Sequence, residues 1–207
     1  MKTNSFLHSS TGTKRSLICI LLISVLSITG LQAQVYKLSA SKDNIVKVSG
    51  TSNVHDWKMT AMDPVCEADF GAISATDGIP KSLNALTFSV NAKSLKSESS
   101  SMDNRTYKTI KADTYPKISF KLSNAVITPT TKNKFAIKAT GALTLAGVTK
   151  TIVMQLTGEV KADQTITCTG VEKLKLTEYS IQPPSFMLGA MKVGDELTIS
   201  YNLNFKK

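Results

Sequence analysis

The stretch Lys134–Ala162, KFAIKATGALTLAGVTKTIVMQLTGEVKA, decides the fold. In its first half Phe135, Ile137, Ala139, Gly141, Leu143 and Leu145 share one parity, and Lys134, Lys138, Thr140 and Thr144 share the other. Successive side chains of a strand point to opposite faces, so this is a strand with one dry face. Ala146-Gly147-Val148 interrupts the pattern. Lys150, Ile152, Met154, Leu156, Gly158 and Val160 then restore an apolar parity opposite Thr149, Thr151, Gln155, Thr157 and Glu159. Two such runs joined by a short glycine-containing connection read as a β-hairpin. Each run extends for about ten residues or more, against a usual strand length of about five or six. Strands this long, wet on one side, suit a sheet that closes on itself.

Outward from the hairpin the pattern repeats. Ile45–Ser49, Val54–Ala61, Glu67–Ser74, Ser82–Leu95, Lys117–Asn124, Gln164–Tyr179 and Leu197–Phe205 all read as strands, and Ile181–Val193 reads as a loop. The polar stretch Ser97–Tyr115 departs from this: Ser100 and Asp103 resemble a weak capping box, and Met102, Thr106 and Ile110 fall at helical spacing, so a short helix is expected from about Met102 to Asp113. About eight or nine strands, one short helical insertion and no internal repeat make an all-β antiparallel barrel the economical architecture, because closure removes exposed edges. Inside so small a barrel Lys117, Lys121, Lys134, Lys138, Lys150, Lys173 and Lys175 would crowd like charges, so they are expected to face water. The apolar parity then lines the lumen.

The first 33 residues read as a cleaved export signal: Lys14 and Arg15, an apolar run Ser16–Ile28, and Leu31-Gln32-Ala33 before Gln34. The run is shorter than the roughly 20 residues a membrane-spanning helix needs, so the mature chain is not expected to span a membrane. Removing Lys2, Lys14 and Arg15 from 25 basic residues leaves 22 against 15 acidic ones, a charge of +7. The excess is scattered singly rather than interleaved with aromatics, which argues against a nucleic-acid surface. The mature chain keeps Cys66 and Cys168, both on apolar parities, and an exported protein permits a disulfide as readily as two buried thiols. With one mature histidine and no close Cys/His spacing, no metal site and no cofactor are expected.

His55, in Thr51-Ser52-Asn53-Val54-His55-Asp56-Trp57, would share an inward face with Trp57 and Met59 if the strand ran straight through it. It reads either as a hydrogen-bonded core histidine or as a contact for a ligand head group. No nucleophile elbow, zinc-protease helix or phosphate loop accompanies it, so no catalytic residue is assigned. Inward parity nominates Trp57, Phe88, Phe120, Phe135 and Met154 as ligand contacts, and Phe186, Met187 and Met191 as a flexible apolar mouth.

Four segments together resemble the YceI-like family of polyisoprenoid-binding or lipid-binding proteins: Gly50–Trp57, Ala112–Phe120, Gly141–Lys150 and Val193–Leu197. The resemblance spans nearly all of Val35–Phe205. It implies a lipocalin-like eight-stranded barrel with a helical insertion, holding one long amphiphile such as an isoprenoid quinone, a polyprenyl or a fatty acyl derivative. It also implies an exported protein, periplasmic or secreted, often a homodimer, with no catalytic residues to carry over. The expectation is a non-enzymatic carrier of a long-chain isoprenoid or lipid. Its rivals are a hydrolase or isomerase acting on such a lipid through His55, and a structural or stress-related protein whose lumen is packed solid.

Overall fold

A computed structural model describes Met1 and residues 35–207; the expected export signal, residues 1–33, lies outside the described residues except for Met1. The hairpin of the opening stretch forms as β8 (Lys134–Leu145) and β9 (Val148–Val160), paired from Lys134↔Glu159 to Leu145↔Val148. Its turn is two residues long. Ala146 and Gly147 both take positive φ, 50° and 80°, the twist that matches the flanking strands.

The other elements follow from the same alternation, with more interruptions than the pattern announces. β1 (Val35–Leu38) and β2 (Ile45–Ser52) both pair with the long β12 (Met191–Lys206), and so act as two pieces of one stave. Asn44 bridges the break between them: its side chain donates to the Ser39 carbonyl at 2.6 Å and accepts from the Asn204 backbone amide at 2.7 Å. β3 (Trp57–Ala61) and β4 (Val65–Phe70) form a second stave, broken at Asp63, whose φ is 53°. β5 (Leu83–Asn91) and β6 (Leu95–Lys96) form a third, broken by a 3-10 turn at Ala92–Ser94. The second and third breaks lie side by side, and the Met62 amide donates to the Ser94 carbonyl at 2.9 Å.

With β7 (Lys117–Thr131) and β10 (Ile166–Lys175) added, the sheet runs from stave to neighbouring stave, every pair antiparallel, and the β1–β12 pairing closes it. The result is the expected eight-stranded antiparallel barrel of lipocalin-like form. The Ser82–Leu95 run, read as one strand, is thus two. The Gln164–Tyr179 run stops at Lys175 and continues as a 3-10 turn, Leu176–Tyr179. The loop expected at Ile181–Val193 contains the short β11 (Ser185–Phe186), paired with the start of β12.

The α-helix among the described residues, α1 (Ser100–Thr109), starts two residues before and ends four residues before the expected bounds. Its cap is Ser99, whose hydroxyl accepts from the Met102 amide. Asp103, expected to form a weak capping box with Ser100, is buried and accepts from both the amide and the hydroxyl of Ser97 at 2.7 Å. The Tyr107 hydroxyl reaches the Lys93 and Leu95 carbonyls at 2.8 and 2.7 Å, tying the helix to the broken third stave.

The seven named lysines are all exposed. Lys150 alone shares the inward parity, being paired with Leu143, and stays in water because it sits where β9 begins at the barrel rim. One end of the barrel is filled. There Tyr36, Phe70 and Phe205 stack edge to face, with ring centroids 5.5 and 5.8 Å apart, beside the fully buried Ile166.

Phe135 lies over Gly158, its direct partner on β9, in the space a Cβ would need. Gly158→Val is therefore expected to displace the ring and destabilise the fold by about 1–3 kcal/mol. Thermal denaturation checks this: the melting temperature should fall, and adding Phe135→Leu should recover part of the loss, giving a non-additive cycle.

Candidate functional site

Above that aromatic floor the lumen opens into a cavity of about 440 Å³. Its wall is drawn from the staves around the barrel, with Val48, Leu86, Phe120, Ile137, Ile152 and Leu203 typical. The mouth is framed by α1 and by β11 with the start of β12. These two sides meet where the Arg105 guanidinium lies 4.8 Å from the centre of the Phe186 ring, a cation–π contact.

Of the residues nominated from the sequence, Trp57, Phe88, Phe120, Met154, Phe186 and Met191 line this cavity. Trp57 is half-buried, its ring lying over Gly50 on β2, with Nε1 donating to the Thr51 carbonyl at 3.2 Å. Phe135 does not line it. At 1% exposure it belongs to the packed floor, where Gly158 admits it close to the β9 backbone. Met187 is also elsewhere: it is 74% exposed and begins a 3-10 turn with φ at 53°, which turns its side chain out to solvent.

His55 borders the mouth but is exposed and not part of an inward strand face. The parity that aligned it with Trp57 fails because the chain curls before β3. The Ser52 hydroxyl accepts from the Val54 and His55 amides at 3.2 and 3.1 Å and donates to the His55 carbonyl at 2.7 Å. The imidazole Nδ1 lies 2.8 Å from the Asp56 carbonyl rather than a carboxylate. Asp195 accepts from the amide and hydroxyl of Thr177 at 2.9 and 2.7 Å and pins the Leu176–Tyr179 turn; those bonds hold its pKa below the ordinary carboxylate value.

Cys66 and Cys168 are free, buried thiols facing the lumen, so they do not form a disulfide. Burial pushes both pKa values up to about 12, which leaves them as inert apolar wall groups. Among the described residues no group of three His, Cys, Asp or Glu side chains could hold a metal ion.

Sequence reading missed the one carboxyl group of the wall. Glu172 shares the parity of Cys168, Gly170 and Leu174 on β10 and lines the cavity. A lone Glu on an otherwise apolar parity was the available signal. Burial raises its pKa, partly offset by a hydrogen bond from the Lys173 amide. Because the folded-state value is raised, the folded chain favours the protonated carboxyl; that contribution is full below the unfolded value and is lost as pH rises through the folded one. Glu172→Gln should thus leave the melting temperature unchanged at about pH 4 and raise it at about pH 8. Equal shifts at the two pH values would show that the carboxyl is not desolvated.

The YceI-like domain model matches residues 31–205. Among solved structures, the chain is similar to Burkholderia cenocepacia BcnA, with a TM-score of 0.62 at 20% identity over 81% of this chain and 98% of that one. It is similar also to a polyisoprenoid binding domain from Saccharophagus degradans implicated in plant cell wall breakdown, with a TM-score of 0.60 at 12% identity over 83% and 97%. A Campylobacter jejuni YCEI protein matches with a TM-score of 0.55 at 21% identity over 72% and 84%. At these identities the likeness is one of fold. No curated protein matches the chain. No helix among the described residues is long and apolar enough to cross a membrane.

Proposed function

The chain belongs to the YceI-like family, and on that premise we propose that it is an exported, periplasmic or secreted, non-enzymatic carrier of one long-chain amphiphile. The observation that carries this reading is the cavity itself: about 440 Å³, walled almost wholly by apolar side chains and closed at one end by aromatics. Ligand sites commonly span roughly 300–1,000 Å³, and a solid-core structural protein would not keep such a volume dry. The similar domain from Saccharophagus degradans is a polyisoprenoid binding domain, which supports an isoprenoid or similar chain as the occupant here.

The energetics suit a tail rather than a polar solute. Each buried CH₂ contributes about 0.8 kcal/mol, so a chain of about ten carbons supplies roughly 8 kcal/mol before ordering costs. That corresponds to about micromolar affinity with few polar contacts. Arg105 at the mouth offers a cation for an anionic or polar head group. The hydrolase reading through His55 has no comparable support, since its imidazole is exposed and set against a backbone carbonyl.

Mass spectrometry of organic extracts from purified protein is expected to show one class of long-chain amphiphile in roughly stoichiometric amount. Protein that neither retains nor accepts any amphiphile would defeat the reading. Met154→Trp, which fills the cavity from its wall, should weaken uptake of the fluorescent amphiphile N-phenyl-1-naphthylamine by about tenfold or more, while Met154→Leu leaves it near the native value.

A further inference from the structure

β11 and the start of β12 form a hairpin of their own, paired at Ser185↔Lys192 and Phe186↔Met191, so Met187, Leu188, Gly189 and Ala190 make its turn. Met187, Leu188 and Gly189 all take positive φ, 53°, 57° and 92°. Turn positions of this conformation favour Gly, Asn and Asp, because a larger side chain crowds its own backbone there. Here two of the three carry long apolar side chains. Neither is sheltered: Met187 is 74% exposed, and Leu188, at 109%, is the most open large hydrophobic side chain among residues 35–207. A side chain at Gly189 would meet nothing within 4 Å, so the turn projects into solvent.

The turn is held firmly all the same. The Ala190 amide donates to the Met187 carbonyl at 3.2 Å, and the Val193 amide to the Pro184 carbonyl at 3.0 Å. Asn53 staples the neighbouring Ser52–Asp56 turn to it. The Asn53 amide donates to the Lys192 carbonyl at 3.1 Å, its side-chain NH₂ donates to the Ala190 carbonyl at 2.9 Å, and its side-chain carbonyl accepts from the Lys192 amide at 2.7 Å. That staple brings the exposed Val54 to the same rim.

Cations accompany this apolar rim. Lys192 follows the turn on β12, and Arg105, Lys108 and Lys111 succeed one another along α1 and just beyond it, with Arg105 against Phe186 at the foot of the hairpin. All four are exposed, and among the described residues none forms an ion pair. Glu98 and Asp113, on either side of α1, are already matched by Lys58 and Lys93 at 3.5 and 2.6 Å. Asp56 is the exposed acid of the Ser52–Asp56 turn.

We propose that this face docks on a lipid bilayer carrying anionic head groups, with Met187 and Leu188 inserted between the head groups and the cations set against phosphate. A tip of two side chains is far smaller than a specific protein–protein interface, which buries about 1,200 Å² or more in total. A bilayer demands no matching shape, and apolar side chains together with cations are what hold a protein to its surface. The hairpin frames the cavity mouth, so docking turns the open end of the barrel to the lipid. The choice of a membrane as partner rests on the carrier reading above, because a long amphiphile resides in lipid.

Co-flotation of the purified protein with phosphatidylcholine vesicles, with and without phosphatidylglycerol, tests this. Native protein should float with the mixed vesicles and bind pure phosphatidylcholine about tenfold or more weakly, and added salt should reduce binding to the mixed vesicles. Asn tolerates positive φ, so Met187→Asn combined with Leu188→Asn should leave the melting temperature in place while vesicle affinity falls by about tenfold or more. Uptake of N-phenyl-1-naphthylamine from solution should be unchanged in this double variant, because neither residue lines the cavity. Leu188→Cys accepts a thiol-reactive, environment-sensitive dye selectively, since Cys66 and Cys168 are buried, and the dye emission should shift to the blue on the mixed vesicles.

Native protein that stays in solution beside the mixed vesicles, a double variant that floats as well as native, or a dye emission that does not shift would overturn the proposal. A native dimer in analytical ultracentrifugation that the double variant fails to form, with no flotation of either, would make the tip a protein contact and overturn it too. Probe uptake without flotation removes the docking face and leaves the carrier reading standing. Flotation that the double variant loses, from native protein that takes up no probe, supports the docking face and removes the carrier reading.

Discussion

The structure depends on one steric arrangement: aromatic rings laid over glycines on neighbouring strands. A long antiparallel sheet closes only if its strands coil tightly, which brings inward side chains into collision unless some positions carry none. Four pairs meet that requirement here. Trp57 covers Gly50 across β2 and β3, Phe135 covers Gly158 across β8 and β9, and Tyr201 covers Gly170 across β10 and β12. Phe120 covers Gly141 across β7 and β8. In each pair the ring occupies the volume the glycine vacates, so the backbone curls without leaving a hole.

The same pairs shape the cavity. Rings flattened against the wall occupy less of the barrel axis than rings pointing straight in, and the lumen stays open at the level of Trp57, Phe120 and Tyr201. Only the end where Tyr36, Phe70 and Phe205 meet edge to face is filled. The three broken staves work at a different place. Their interruptions let β1 to β6 bend around the barrel, and the bonds through Asn44 and between Met62 and Ser94 replace the ladder where it lapses.

Stabilising contacts at the mouth are fewer and more polar than those at the floor. α1 is held by the Ser97–Asp103 bonds, by the Tyr107 hydroxyl and by the contact of Arg105 with Phe186. Elements held by a few such bonds sit at the low end of local stability. Under the proposed carrier role, that suits this end as the entry route for a long chain.

The alternation of Lys134–Ala162 determined by itself that this chain makes long one-sided strands, and the scattered lysines determined which side met water. Period-2 patterning is local, so it survives in the sequence, and Trp57, Phe88, Phe120 and Met154 could be placed on the lumen face without coordinates. Parity says which face a residue takes but not how far along the barrel it lies, and only the tertiary structure separated Phe135 in the floor from Phe120 beside the cavity. His55 and Met187 were misplaced for a related reason: hydrogen bonds from the Val54 and His55 amides to the Ser52 hydroxyl curl the chain at His55, and a positive φ turns Met187 outward. The packing of Tyr201 over Gly170 belonged wholly to the fold, since strand register joins residues 31 positions apart and no local pattern encodes which residues it will set side by side.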